Sequence, residues 1–303
     1  MKWVTATDLD HWADRIAARY TLSELVSNLI RASAKNIASF RFPTGDSAEL
    51  PGYDGILEAE AVPPFVPGGL SVWEFGTSED PKEKATNDFN TRSQSRPQKY
   101  ELGKREATFV FVTPRIFREK QGWSLECRNK NIWRDVKVID GVDLEEWLEN
   151  CPAVALEFSQ GNLDKYPPSG IISAEDFWSD YAGRTEPPLA EGVLIAGRKE
   201  QTQELLSLVV SDTQQAIVVR ADSQDEALAF TIAAMRTAPQ DVYKYINART
   251  ALVDHEEIAR SLANRGRLIV GLRSLSKPLS NALVQSGNIV LVPLGNSAPN
   301  QRV

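Results

Sequence analysis

Two acidic residues stand out for their surroundings. Asp54 lies in Gly52-Tyr53-Asp54-Gly55, where a turn enters a strand-like run, and Glu74 lies inside the apolar segment Val72-Trp73-Glu74-Phe75-Gly76. A carboxylate within such a segment is costly to bury unless something pairs with it. Two of them on adjacent strands offer the hard oxygen ligands that a partly hydrated Mg²⁺ (or Mn²⁺) takes. An ion so held lowers the pKa of a bound water and stabilises charge on a phosphodiester. The same residues also admit a plainer account, with Asp54 ending a turn and Glu74 paired to a nearby Lys or Arg. Chemistry of other kinds has few candidates, because His11 and His255 are the only histidines and Cys127 and Cys151 the only cysteines. Neither a His-rich zinc site nor a nucleophile-His triad is easily assembled from them.

The elements that must carry this pair follow from the hydrophobic pattern. Asp8 and Asp10 precede a helical spacing through Trp12, Ile16 and Tyr20, and a second helix is predicted over Thr21–Ser39 with Leu22, Leu25, Val26, Leu29 and Ile30 on one face. Asp54–Ala61 and Leu70–Gly76 read as strands. Pro81–Ser93 reads as a charged helix opened by proline. Ala107–Thr113 has the continuous apolar character of a strand covered on both faces. Trp133–Asp140 is a further strand and Asp143–Asn150 a short helix, so the first part predicts an α/β sandwich around a short mixed sheet.

All seven tryptophans lie between Trp3 and Trp178, which marks a change of character along the chain. Prolines from Pro167 to Pro188 bracket that change, giving an expected first domain over 1–160, a linker over 161–187 and a second domain over 188–303. The second domain is expected to alternate helices with strands at Gly192–Ile195, Gln215–Arg220, Ala251–Val253, Leu268–Leu272 and Asn288–Pro293, the pattern of a smaller doubly wound parallel α/β fold.

The net charge of -7 argues against a protein that coats nucleic acid, but its distribution is uneven. Residues 1–81 hold 6 basic and 12 acidic side chains, whereas residues 82–137 hold 14 basic and 7 acidic ones. That basic block suggests a DNA-facing rim that includes Arg96, Lys99, Lys104 and Arg105. Trp123, Trp133 and Trp147 are expected in the core or an interface rather than as stacking platforms. The absence of an apolar run of roughly 20 residues and of a leader-like start makes the cytoplasm the expected location.

The segment PGYDGILEAEAV…VPGGLSVWEFGTSEDPKEKATNDFNTR resembles the core of the PD-(D/E)XK, or restriction-endonuclease-like, nuclease superfamily, especially the versions that open large bacterial STAND-type NTPases of antiphage defence. The resemblance covers about Thr21–Ala153. It implies that Asp54 and Glu74 are the metal-binding acids and that Glu24 supplies a further carboxylate. It also implies a lysine two residues after Glu74, where this chain has Gly76. Relocation to the following helix is known in the superfamily, and Lys84, with Arg92 second, is the expected substitute for charge stabilisation. A homo-oligomer and a regulatory domain or partner are further implications.

In the second part, Gln215–Arg220 is followed by Ala221-Asp-Ser-Gln-Asp225-Glu226-Ala227, the place where a P-loop NTPase carries GxxxxGK[ST]. Asp225 and Glu226 stand where glycine and lysine would cradle phosphate, so the segment resembles a degenerate STAND-type P-loop without ATP hydrolysis. The expectation is therefore a Mg²⁺-dependent DNA endonuclease effector. Its alternatives are an inactive DNA-binding module that keeps the nuclease fold, and an oligomerisation or regulatory protein.

Overall fold

A computed structural model of the chain describes residues 2–43, 52–94, 103–166, 169–211, 213–263, 265, 267–273 and 277–296. The chain is mixed α/β and forms two compact units, Lys2–Asn150 and Cys151–Val303.

The first unit runs α1 (Ala6–Trp12), α2 (Ala18–Ser33), β1 (Ser39–Arg41), β2 (Gly55–Ala59), β3 (Gly69–Phe75), α3 (Pro81–Gln94), β4 (Thr108–Val112), α4 (Lys120–Asn129), β5 (Asp135–Ile139) and α5 (Gly141–Asn150). Its sheet has the order β1-β2-β3-β4-β5, antiparallel from β1 to β3 and parallel from β3 to β5. The sequence TFVFV of β4 is buried at every position, as a central strand covered on both faces requires. Leu22, Leu25, Val26, Leu29 and Ile30 of α2 are all buried, the face that their spacing predicts.

Three boundaries differ from the periodicity. The first helix stops at Trp12 and leaves Ile16 77% exposed in the connection to α2, which starts at Ala18 rather than Thr21. The second helix ends at Ser33 because Ala34 turns extended (ψ 147°), and Ser39 opens an unexpected edge strand. Lys120–Asn129 forms a helix inside the basic block, where only charge was legible.

The second unit comprises α6 (Pro152–Leu163), β6 (Ile171–Ser173), α7 (Ala174–Ala182), α8 (Glu191–Ile195), α9 (Lys199–Val210), β7 (Ala216–Ala221), α10 (Gln224–Arg236), α11 (Gln240–Asn247), β8 (Thr250–Val253), α12 (Glu256–Leu262), β9 (Ile269–Leu272), α13 (Lys277–Gln285) and β10 (Ile289–Gly295). The sheet order is β6-β8-β9-β10-β7, with β7 to β10 mutually parallel and β6 antiparallel at one edge. The chain crosses the sheet from β7 to β8 and then returns strand by strand to β10. Right-handed connections along that path place α10 on one face and α12 and α13 on the other.

The expected linker over 161–187 is instead structured. It contains β6 and α7, and Phe177 and Trp178 of α7 pack with Leu228, Ile232 and Leu252 in the second unit's core. Helix α6 also belongs to this unit, so the division falls at Asn150 rather than near 160. Gly192–Ile195, expected as a strand, is the helix α8 against α10, since four apolar residues carry no distinguishable period.

Candidate functional site

Strands β2 and β3 pair with Gly55 opposite Trp73, so one step beyond that register Asp54 faces Glu74. The glycine after Asp54 is required by packing, because a Cβ at Gly55 would overlap the Phe42 ring. Asp54 Oδ2 accepts a hydrogen bond from the Phe75 N–H at 2.9 Å, which ties the turn to the neighbouring strand. Glu74 is only 2% exposed, and both its oxygens are engaged by Arg92: Nε to Oε1 at 2.5 Å and Nη2 to Oε2 at 3.1 Å.

Helix α3 brings the cations to this pair. Ala85 and Phe89 form its buried stripe, with Phe89 edge-on to Phe109 of β4 (5.4 Å, 86°) and to Trp123 (6.0 Å, 81°). The adjoining i, i+4, i+8 stripe is Lys84, Asp88 and Arg92, neighbours along one helix face. Arg92 also lies over the Tyr53 ring at 5.4 Å, so its guanidinium has an aromatic as well as an ionic partner. Lys84 Nζ donates to Asp88 Oδ1 at 2.7 Å.

Gly76 explains why the lysine expected two residues after Glu74 is absent. A Cβ at that position would lie 2.7 Å from Lys84 Cγ and 2.9 Å from Phe111 Cζ. The stem of Lys84 therefore fills the volume beside Gly76 in which a side chain at position 76 would start. The stem of the α3 lysine, eight residues downstream, thus lies beside the strand position that lacks one, while its ammonium reaches Asp88.

Burial governs the electrostatics. It pushes the Glu74 carboxyl up to about 8 against the pull of Arg92, and the charge of Asp54 adds to the rise. Asp54 is raised for the same reason, with the Phe75 N–H and the Arg92 and Lys84 charges opposing. Asp88 contributes negative potential at both acids. The site thus holds two desolvated, mutually repelling acids beside two cations.

A cleft of about 650 Å³ opens beside this group, its lining including Ile16, Arg19, Leu22, Gly76, Glu79 and Lys84. Asp54 and Glu74 do not line it themselves, whereas Phe75, whose N–H Asp54 holds, does. Arg115 also lines the cleft, but it is consumed in structure: Nη1 donates to Asp10 O at 2.7 Å, Nη2 pairs with Asp14 at 2.5 Å and Nε reaches Thr77 O.

Glu24, expected as a third metal ligand, is exposed on α2, and it is Leu22 that reaches the cleft. Among the described residues no three His, Cys, Asp or Glu side chains are grouped to hold a metal ion. Two carboxylates still suit Mg²⁺, which is commonly bound by one or two together with waters and substrate phosphates. Each Glu74 oxygen accepts one hydrogen bond from Arg92 and keeps a second lone pair for a metal ion.

Among the described residues, most cations of the basic block are engaged within the fold. Lys104 donates to Ser93 O, Lys120 bridges Asp140 and Asp143, Arg128 pairs with Asp135, and Arg134 binds Gly68 O, Leu70 O and Thr108 Oγ1. Lys137 donates to Pro64 O, and Lys130 lies over Phe89. Arg105 and Arg118 are exposed, while Arg96 and Lys99 lie outside the described residues. Trp123, Trp133 and Trp147 are buried, as expected of core residues.

At the phosphate-loop position of the second unit, the start of α10 is closed by its own side chains. Ser223 caps it by accepting from the Glu226 N–H, and Glu226 Oε2 accepts from the Asp222 N–H. Asp225 is paired with Arg184 and Arg273. The backbone donors and cations that would hold a phosphate are thus engaged by carboxylates and a hydroxyl.

No protein-family model, no curated protein and no solved structure matches the chain. No helix among the described residues is long and apolar enough to cross a membrane.

Proposed function

We propose that the first unit is a restriction-endonuclease-like domain that hydrolyses phosphodiester bonds in DNA with the help of Mg²⁺ or Mn²⁺, serving as an effector in bacterial antiphage defence. The observation that carries this reading is the cross-strand carboxylate pair Asp54/Glu74, desolvated and faced by the cationic stripe of α3. The strand path, three antiparallel strands joined through α3 to a parallel fourth, supports the sandwich that the resemblance implies.

A divalent ion bound there supplies an activated water and charge stabilisation at the phosphodiester. Asp54 and Glu74 provide oxygen ligands for it. Arg92, held over the Tyr53 ring and bidentate to Glu74, would add positive charge beside a phosphate bound at this pair. Lys84, standing beside Gly76, is a cation that borders the cleft where a nucleic-acid strand would lie. The second unit acts as a scaffold or regulator, consistent with its closed α10 terminus.

The test is plasmid cleavage and gel shift with and without Mn²⁺, at two salt concentrations, on wild type, Asp54→Ala and Glu74→Ala. Metal-dependent cutting abolished by either substitution is the expected result. Equal cutting by Asp54→Ala overturns the assignment. The bidentate Arg92–Glu74 pair favours one second reading, an inactive DNA-binding module in which that contact is structural. Salt-sensitive binding without cleavage in any metal supports that reading instead.

A further inference from the structure

Resting on the nuclease reading above, we propose that Asp88 is a positioning residue that holds the Lys84 ammonium at the edge of the cleft beside Gly76, fixing the cation that replaces the missing strand lysine. Lys84 is anchored at two points. Its stem lies against Gly76, and its tip is 2.7 Å from Asp88 Oδ1. A lysine has a flexible four-carbon stem with many rotamers, so one contact would leave its charge spread over the cleft. Two contacts define one place for it.

Helix stabilisation does not account for the pair. Within α3 the lysine precedes the acid, the less favourable order for an i,i+4 pair, and Lys84 sits near the helix N-terminus, where a cation opposes the macrodipole. Nor is Asp88 an ordinary surface acid. Its side chain is 14% exposed, and Oδ2 is buried without a hydrogen-bond partner. A buried acceptor left open costs stability, so packing alone gives no return for a carboxylate here. The negative charge of Asp88 also acts on Asp54, Glu74 and Arg92, which puts it within the electrostatic reach of the whole group.

The full chain carrying Asp88→Asn, Asp88→Glu, Lys84→Ala or Asp88→Asn with Lys84→Ala tests this under single-turnover conditions with Mn²⁺, beside Asp54→Ala. Asp88→Asn should slow cleavage by about 10- to 100-fold, the scale of a misplaced group, with DNA affinity changed less than twofold. Asp88→Glu should recover part of the rate, and Asp88→Asn should add nothing to Lys84→Ala. An Asp88→Asn enzyme as fast as wild type, or one that slows the Lys84→Ala protein by the same factor, overturns the proposal. If Asp54→Ala is dead while Asp88→Asn and Lys84→Ala are unimpaired, only this assignment falls; if Asp54→Ala cuts normally, or wild type does not cut, the nuclease reading falls and Asp88's role with it. A readout independent of cleavage is the acylation rate of Lys84 by an amine-selective reagent, followed by peptide mass spectrometry. It should rise several-fold in Asp88→Asn, and an unchanged rate overturns the holding contact.

Discussion

Replacing Gly76 by alanine tests the claim that Lys84 fills the space beside that strand position. The new Cβ would meet Lys84 Cγ at 2.7 Å and Phe111 Cζ at 2.9 Å. Unstrained carbon pairs sit about 3.5–4.0 Å apart, so the two neighbours must yield by roughly 0.8 and 0.6 Å. They differ in their ability to do so: the Lys84 side chain is 38% exposed and can swing outward, whereas Phe111 is fully buried in β4 and packed in the core. Overpacking of this kind costs about 1–3 kcal/mol. For a unit near 150 residues that corresponds to a fall in Tm of roughly 3–10 °C. In a Lys84→Ala background the first clash disappears and only the Phe111 overlap remains, so the same substitution should cost about 0.5–1.5 kcal/mol less. Tryptophan fluorescence during urea unfolding is a suitable assay, since Trp3, Trp12, Trp73, Trp123, Trp133 and Trp147 all lie in the first unit and only Trp178 in the second. A Gly76→Ala protein as stable as wild type, or a cost identical with and without Lys84, refutes the reasoning. Either would mean that the lysine stem does not occupy that volume.

In the absence of metal, stability should fall as pH rises. Glu74 has an ordinary value of 4.5 and a folded value of about 8, so its contribution is fully present below pH 4.5 and is lost through pH 8, by up to roughly 5 kcal/mol. Urea midpoints measured from pH 5 to 9 should lose most of this slope in Glu74→Gln, and a slope that survives excludes Glu74 as its source. Arg92→Met removes the group that holds the Glu74 carboxyl down and leaves a buried, protonated acid short of a partner, so it should cost about 1–3 kcal/mol of metal-free stability near neutral pH, with Mg²⁺ raising Tm more in the variant than in wild type as the thermal-shift check. Arg115→Ala removes the bonds to Asp10 O, Asp14 and Thr77 O and should lower stability by about 2–3 kcal/mol while gel-shift affinity for DNA at fixed salt stays near wild type. ATP with Mg²⁺ should neither shift the melting of the second unit nor be hydrolysed, because Ser223, Glu226 and Asp225 engage the phosphate-loop position, and a saturable nucleotide-dependent shift contradicts that account.

What could be read before the structure was local. The turn that enters a strand at Asp54, the apolar segment around Glu74 and the continuous apolar ATFVFVT run are local signals, and the facing of Asp54 and Glu74 follows from one antiparallel register. The stripe Lys84, Asp88, Arg92 was also accessible, since i,i+4 spacing on a predicted helix is a matter of counting, yet attention to cations alone passes over the acid between them. The partnerships were not accessible. Arg92 reaches Glu74 across 18 residues and Arg115 reaches Asp14 across 101, and a count of basic residues in 82–137 cannot separate charges spent on carbonyls and carboxylates from those facing solvent. Pro152 at the first turn of α6 was a usable helix-start signal for the true unit boundary. The prolines after 166 outweighed it, although the segment they bracket folds as β6 and α7.

The departure of the sequence at Gly76 and the charged helix after it are one feature rather than two. A lysine at 76 would have to begin where Lys84 Cγ and Phe111 already stand, so restoring the motif lysine by Gly76→Lys in the present background adds a clash before it adds a charge. The combination Gly76→Lys with Lys84→Gly removes the stem but leaves the Phe111 contact at 2.9 Å, and it removes the cation that Asp88 holds. If the cation beside the cleft matters by its place rather than its position in the chain, that double variant should regain cleavage over Lys84→Gly alone only when the core ring is also trimmed, as in Phe111→Leu. Recovery without trimming would show that the strand position never lost its room for a side chain, and that Gly76 arose for some reason other than the arrival of Lys84.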